Sequence, residues 1–252
     1  MLFKSGENKQ QKIEQQFLDD LLTDIELKSK RPISKSKPSF KPSSLKCQRQ
    51  CFFSFMGVEK DDVNYNDYSM IGIAENGTDR HNRLQNAIIN SDNIEYINIS
   101  KYIIDNKLTH LKVIGNYGNE YLVFDSRYNL RLMVDGIVKY KNQLFILEIK
   151  TEVSFKYDAH NEVHNEHYNQ AICYSLAFGI DKVLFIYENR DILTKKSYLL
   201  EINNLMRQSV IDFMSEVNIA VKENKMPPKP ELASGTFCQY CEYKKTCRGV
   251  KL

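Results

Sequence analysis

Between Asn129 and Thr151 the chain carries two apolar runs, NLRLMVDGIVKY and NQLFILEIKT, with an acid at mirror-related positions in each. Runs of this length rich in Val, Ile, Leu and Phe, separated by a turn-like YKNQ, predict two antiparallel strands. Counting inward from Asp135 and Glu148 gives a common centre between Lys141 and Asn142. A hairpin with a symmetric loop there sets the two acids directly across from one another, with Cβ atoms about 4.5 to 5.5 Å apart. Lys150 lies two residues past Glu148 and shares its face, while Ile149 points the other way, into the core. One face of the hairpin therefore gathers two carboxylates and an ammonium. Such a face has two uses. It can be an exposed ion-pair cluster of little energetic worth, or it can bind a divalent cation that keeps both acids ionised, for which oxygen ligands suit Mg²⁺ or Mn²⁺.

The rest of the chain frames this hairpin. EYLVFDS precedes it as a further strand, and KVLFIYE and KSYLLEI follow as two more. A helix is predicted over about 67–90, with His81, Leu84, Gln85 and Ile88 on one face at i, i+3, i+4 and i+7. A second covers about 160–178, its start occupied by His160, His164 and His167, which read as solvated residues rather than a zinc motif. A third covers about 203–224 and ends at MPPKP, where proline stops it. Near the amino terminus, Ile13, Phe17, Leu21 and Ile25 recur every four residues and predict an amphipathic helix that docks on the main body or on another protein. Between Lys28 and Lys46 lie seven basic residues and no acidic one, among serines and prolines. That is a basic linker, either merely solvated or able to touch phosphates.

With 252 residues and 42% of them hydrophobic, the chain can bury a substantial core. A net charge of +3 is too small to demand a polyanionic partner. No apolar run is long enough to span a bilayer, and MLFKSGENKQQ lacks the apolar stretch of a secretory signal, so a cytoplasmic protein without membrane contact is expected. Thiols are kept reduced there, which turns clustered cysteines toward metal binding. Cys238, Cys241 and Cys247 form a C-x2-C-x5-C run with three ligands where a tetrahedral site needs four. The fourth must come from Cys47, Cys51 or Cys173. Cys173 stands among Ala171, Ile172 and Leu176 on the second main helix and is assigned to packing. Zinc and an iron–sulfur cluster are both open to such a set.

Taken together, the motifs resemble the PD-(D/E)xK nucleases, in particular their RecB/Cas4-like iron–sulfur branch. The resemblance rests on D135-G followed by E148-I-K150, on GTDRH ending at His81, on QAICY from Gln170 to Tyr174, and on PPKPE followed by the cysteine run. It covers roughly residues 42–247. It implies an α/β restriction-endonuclease-like core, with a central mixed β-sheet flanked by helices and a carboxyl-terminal iron–sulfur segment. Residues 1–45 would be a helix and linker, and 46–252 the nuclease domain. The resemblance further implies that His81, Asp135, Glu148 and the Ile149 carbonyl bind Mg²⁺ or Mn²⁺, and that Lys150 is the catalytic lysine. Gln170 and Tyr174 would contact DNA or order that lysine. Because PSSLKCQRQCFF resembles the family's start, Cys47 rather than Cys51 would join Cys238, Cys241 and Cys247 around a 4Fe–4S cluster, with zinc the alternative. The implied activity is a DNA exonuclease of replication, recombination, repair or CRISPR adaptation, in a phage or host cytoplasm, with a non-cutting nucleic-acid-binding or scaffold protein as the rival.

Overall fold

In the computed structural model the described residues are 4–29, 37–61, 68–229, 236–239 and 241–249. The middle of the basic linker, including Lys30, Arg31 and Lys35, and Glu231 of PPKPE lie outside them. The chain divides into two compact units, Met1–Ser36 with Asp62–Thr78, and Lys37–Asp61 with Asp79–Leu252. In the first, helix α1 spans Lys4–Ser29 and helix α3, Tyr68–Ile89, begins. Ile13, Phe17 and Leu21 of α1 are exposed.

In the second unit, α2 (Gln48–Phe55) and the remainder of α3 lead to β1 (Glu95–Ile97), α4 (Ile99–Asp105), β2 (Leu111–Tyr117), β3 (Glu120–Asp125), β4 (Leu130–Val134), β5 (Gly136–Tyr140) and β6 (Gln143–Glu152). Then come α5 (Ser154–Asp158), α6 (Tyr168–Phe178), β7 (Lys182–Asn189), β8 (Lys195–Glu201), α7 (Asn204–Glu223), α8 (Thr236–Gln239) and α9 (Lys244–Gly249). Two sheets form, a five-stranded one in the order β1-β5-β6-β7-β8 and a three-stranded one in the order β2-β3-β4. β6 and β7 run parallel and the other pairs antiparallel, so the larger sheet is mixed. Among the described residues no helix is long and apolar enough to cross a membrane.

The β5–β6 hairpin has the predicted register: Tyr140 pairs with Gln143 and Gly136 with Leu147. Lys141 and Asn142 both take positive φ, 46° and 60°, as the two central residues of a type I′ turn must. Side chains alternate across the sheet. Val138, Phe145, Leu147 and Ile149 pack with Leu84 and Ile88 of α3, while Ile137 and Ile146 face Ala171, Ile172 and Phe178 of α6. Parity puts Glu148 and Lys150 on the α6 side, and it buries Ile149 on the other, where it is 0% exposed.

Two expectations change. NLRLMVDGIVKY is not one strand: β4 pairs with β3 in the small sheet, and β5 with β6 in the large one, so the chain changes sheets at Asp135. The helix expected from 160 begins at Tyr168, because the residues before it are spent on tertiary contacts; His160 meets Glu152 at 2.8 Å and the Glu162 carbonyl at 2.6 Å. The second unit starts at Lys37. Phe40 exchanges backbone hydrogen bonds with β4 and its flank, donating to the Asn129 carbonyl and accepting from Arg131 N, both at 2.9 Å, and it is 1% exposed. α7 matches its prediction closely. Asn203 caps its start by accepting from Met206 N at 3.0 Å, and Asn224 ends it in the left-handed region.

Candidate active site

The switch between sheets makes the site. Asp135 stands at the corner where β4 ends and β5 begins, and its register position lies opposite Glu148. A Cβ on Gly136 would meet Tyr96 Cε2 at 2.7 Å, so a larger residue after Asp135 would force the Tyr96 ring to shift. Gln85 of α3 reinforces the corner by donating to the Asp135 carbonyl at 2.9 Å. β5 stops at Gly136, so among the described residues that edge of β6 has no partner strand beyond Leu147. Asp135 Oδ2 takes the strand's place and accepts from Ile149 N at 2.7 Å. In an extended strand the N–H and C=O of one residue point to the same side, so the Ile149 carbonyl faces the same edge as Asp135.

Asp135 and Glu148 are 5% and 2% exposed, so the cluster is not a solvated ion-pair face. Lys150 Nζ donates to Glu148 Oε1 at 2.5 Å and to Gln170 Oε1 at 2.8 Å. Gln170 Nε2 in turn donates to the Tyr174 hydroxyl at 2.7 Å, and that hydroxyl donates to the Met133 carbonyl. This relay crosses from β6 to α6 and back to β4. Tyr174 is 1% exposed; it holds Gln170, and Gln170 holds the lysine.

Glu148 Oε2 is buried with no hydrogen-bond partner among the described residues. Burial pushes the Glu148 carboxyl up, Asp135 adds to the rise and Lys150 opposes it, leaving a pKa of about 7. For Lys150, burial works against the charge but the Glu148 carboxylate outweighs it, and the ammonium is held above its ordinary value. His81 Nδ1 lies 3.5 Å from Asp135 Oδ1 and 3.4 Å from Glu120 Oε1. Burial disfavours its protonation, yet the two carboxylates win and lift the imidazole to about 10.

His81, Glu120 and Asp135 each offer a ligand atom within 4.8 Å of the others. This donor set of one nitrogen and carboxylate oxygens suits a divalent cation of the Mg²⁺ or Mn²⁺ kind; Glu148, whose Oε2 has no hydrogen-bond partner among the described residues, is not a member of that group. Glu120 is the member that sequence reasoning missed. It starts β3 in the small sheet, and only the crossing at Asp135 carries it to the hairpin's acids.

Cys47, Cys238, Cys241 and Cys247 line one cavity of about 220 Å³, together with Arg49, Phe53 and Tyr243. Arg49, 1% exposed, donates to the Pro227 carbonyl at 2.9 Å and to Cys247 Sγ at 3.7 Å. Cys51 points elsewhere, donating to the Ser44 carbonyl at 3.2 Å, and Cys173 is buried in the main core. Burial pushes the Cys47 and Cys241 thiols up. Among the described residues no three cysteine sulfurs come within 4.8 Å of one another.

No protein-family model matches the chain, and no curated protein matches it. Among solved structures it is similar to SSO0001, with a TM-score of 0.48 and 14% identity over 94% of this chain and 98% of that one. It is also similar to LHK-Exo in complex with dAMP, at TM-score 0.46 and 11% identity over 75% of this chain and 90% of that one. LHK-Exo, an alkaline exonuclease from Laribacter hongkongensis, gives TM-score 0.42 and 12% identity in a second structure, over 75% of this chain and 92% of that one. At these scores the likenesses assign no activity to the chain.

Proposed function

We propose that the chain is a divalent-metal-dependent DNA nuclease of the RecB/Cas4-like kind, an exonuclease on single strands or duplex ends in DNA replication, recombination or repair. The observation that carries this reading is the buried constellation of Asp135, Glu148 and Lys150, in which a carboxylate oxygen of Glu148 is left without a partner. A buried unpaired acceptor costs about 1–3 kcal/mol, more when charged, and a fold retains such a group where a ligand uses it. His81, Asp135, Glu148 and the Ile149 carbonyl would hold Mg²⁺ or Mn²⁺, with Glu120 beside them. When bound, the cation lowers the pKa of a water and neutralises charge on the phosphoryl group.

The chain's own residues do the rest. Lys150, fixed between Glu148 and Gln170, directs a positive charge at the attacking water and at the oxygens of the phosphodiester, where charge grows as the water oxygen bonds to phosphorus and the bridging ester oxygen departs. Gln170 and Tyr174 keep that ammonium from swinging away. At the other end, Cys47, Cys238, Cys241 and Cys247 would hold a 4Fe–4S cluster. Three local cysteines and one remote one suit such a cluster, with zinc the alternative.

Digestion of DNA blocked at the 5′ or the 3′ end, by anaerobically purified protein with Mn²⁺, tests the reading. Wild type is expected to shorten one or both substrates and Glu148→Ala neither. Equal products from the two proteins would overturn the catalytic assignment and leave the non-cutting binding protein as the better account.

A further inference from the structure

A groove of about 410 Å³ opens beside the carboxylate cluster, and Lys150, Phe155, Lys156, His167 and Arg190 line it. Its volume lies in the range of sites that hold a small organic ligand, about 300–1,000 Å³. Sharing Lys150 with the candidate active site, it is where a strand with its phosphate at that lysine would continue. Phe155 is 76% exposed on its wall, an unfavourable place for an aromatic ring unless something covers it.

Nor is Phe155 on a loose segment. Asp191 Oδ2 accepts from Ser154 N at 2.8 Å and from Ser154 Oγ at 2.6 Å, fixing the start of α5. The Lys196 ammonium lies 4.2 Å over the Tyr157 ring and donates to the carbonyls of Tyr157 and His160, fixing its end. A rigid turn therefore presents a bare ring toward solvent. On the groove's rim Arg190 carries a buried Nε with no hydrogen-bond partner among the described residues, while its backbone N–H is tied to the Glu152 carbonyl at 2.8 Å. The two acids in the groove are already engaged. Glu152 meets His160 at 2.8 Å, and Glu166 meets Lys156 at 3.5 Å and Lys46 at 3.9 Å.

We infer that this groove seats the nucleotide next to the scissile phosphate, with its base stacked on Phe155 and its phosphate taken by Arg190. The inference rests on the nuclease reading for its substrate class. Stacking on an aromatic face tolerates any base, and arginine takes a phosphate through paired N–H groups. The site therefore selects an unpaired end of a DNA strand without selecting its sequence.

The test uses the full chain carrying Glu148→Gln, so that DNA stays intact, and single-stranded oligodeoxynucleotides bearing 2-aminopurine near the 5′ or the 3′ end. One oligonucleotide is expected to be quenched on binding. Adding Phe155→Ala should abolish the quenching and weaken affinity about tenfold, whereas Phe155→Trp should retain both. Arg190→Gln should lower the slope of log affinity against log salt by about 0.7. Unchanged quenching and affinity in Phe155→Ala, or no binding at all by the Glu148→Gln chain, would overturn the inference. Wild-type digestion is scored separately: cleavage without the Phe155 effect sinks the groove and keeps the nuclease, and the Phe155 effect without cleavage does the reverse.

Discussion

The carboxylate site and the cysteine cavity are built in opposite ways. At the first, strand register and one change of sheet bring the charged groups together, and the protein's own hydrogen bonds brace them: Asp135 on the Ile149 amide, Lys150 between Glu148 and Gln170, Gln170 on Tyr174. At the second, Cys47 at the start of α2, Cys238 in α8, Cys241 in a loop and Cys247 in α9 converge on a cavity, with Arg49 as their buried cationic neighbour. The difference predicts a division of labour. Where backbone geometry supports a site, removing one side chain takes the chemistry and leaves the fold; where short separate segments meet at a cavity, removing one lining group loosens the segments.

The largest expected effect falls on the first region. Glu148→Gln keeps the shape and the acceptor for Lys150 but removes the charge, and cleavage of end-labelled DNA should fall by about 10²–10³-fold, the scale for losing one preorganised electrostatic group. Its thermal unfolding should stay closer to wild type than that of Cys47→Ala. If Glu148→Gln instead unfolded at the lower temperature, the contrast between a braced site and a stapled one would be broken.

Cys47→Ala is the matching test of the second region. If the cavity holds the proposed cluster, the variant should lose iron and the visible absorbance of the anaerobic protein, together with the stability that a group bound only by the native state confers, about 4 kcal/mol for a ligand at a thousand times its dissociation constant. Cys51→Ala and Cys173→Ala should keep their iron and show only the modest loss of an ordinary core substitution, about 0.5–3 kcal/mol. Retention of iron by Cys47→Ala and its loss from Cys51→Ala would transfer the ligand role to Cys51.

These two regions were also unequally legible. The pairing of Asp135 with Glu148, and Lys150 on the same face, followed from counting residues around Lys141 and Asn142, because side-chain parity along a strand is a local property. The change of sheet at Asp135 was not legible, since VDG reads as continuous strand and only the packing of Tyr96 over Gly136 and of β3 beside β4 reveals the corner. Glu120 was missed for the same reason, and α2, α4, β1 and β2 because short elements carry too few periods to register. In the cysteine cavity the spacing of Cys238, Cys241 and Cys247 announced a ligand set, but nothing local linked it to Cys47. That choice came from resemblance.

A smaller effect sharpens the idea of bracing itself. Gln170→Ala removes one of the two acceptors on the Lys150 ammonium, an interaction of the charged kind worth about 1.5–3 kcal/mol. Cleavage should therefore fall about tenfold or somewhat more, in kcat, with KM for the DNA strand little changed. A rise in KM at constant kcat would show Gln170 binding substrate directly and would remove it from the support of Lys150.

The smallest effect concerns two histidines whose surroundings push them in opposite directions, and it is best read in protein kept metal-free with a chelator. Carboxylates raise His81 to about 10 in the folded chain, against about 6.5 unfolded. The folded state then binds the proton more tightly, so this stability is fully present below about 6.5 and is lost as pH climbs toward 10. Burial, aided by Lys150, pushes His167 down to about 2, where its Nδ1 meets the Tyr187 hydroxyl at 2.9 Å and its ring stacks on Phe185. Here the unfolded chain binds the proton, so the contribution is present above about 6.5 and fades as pH falls toward 2. Denaturant midpoints measured across pH should show His81→Gln flattening the alkaline limb and His167→Phe the acid limb. Both variants flattening the same limb would mean that the corner at Asp135 does not hold His81 between its two carboxylates.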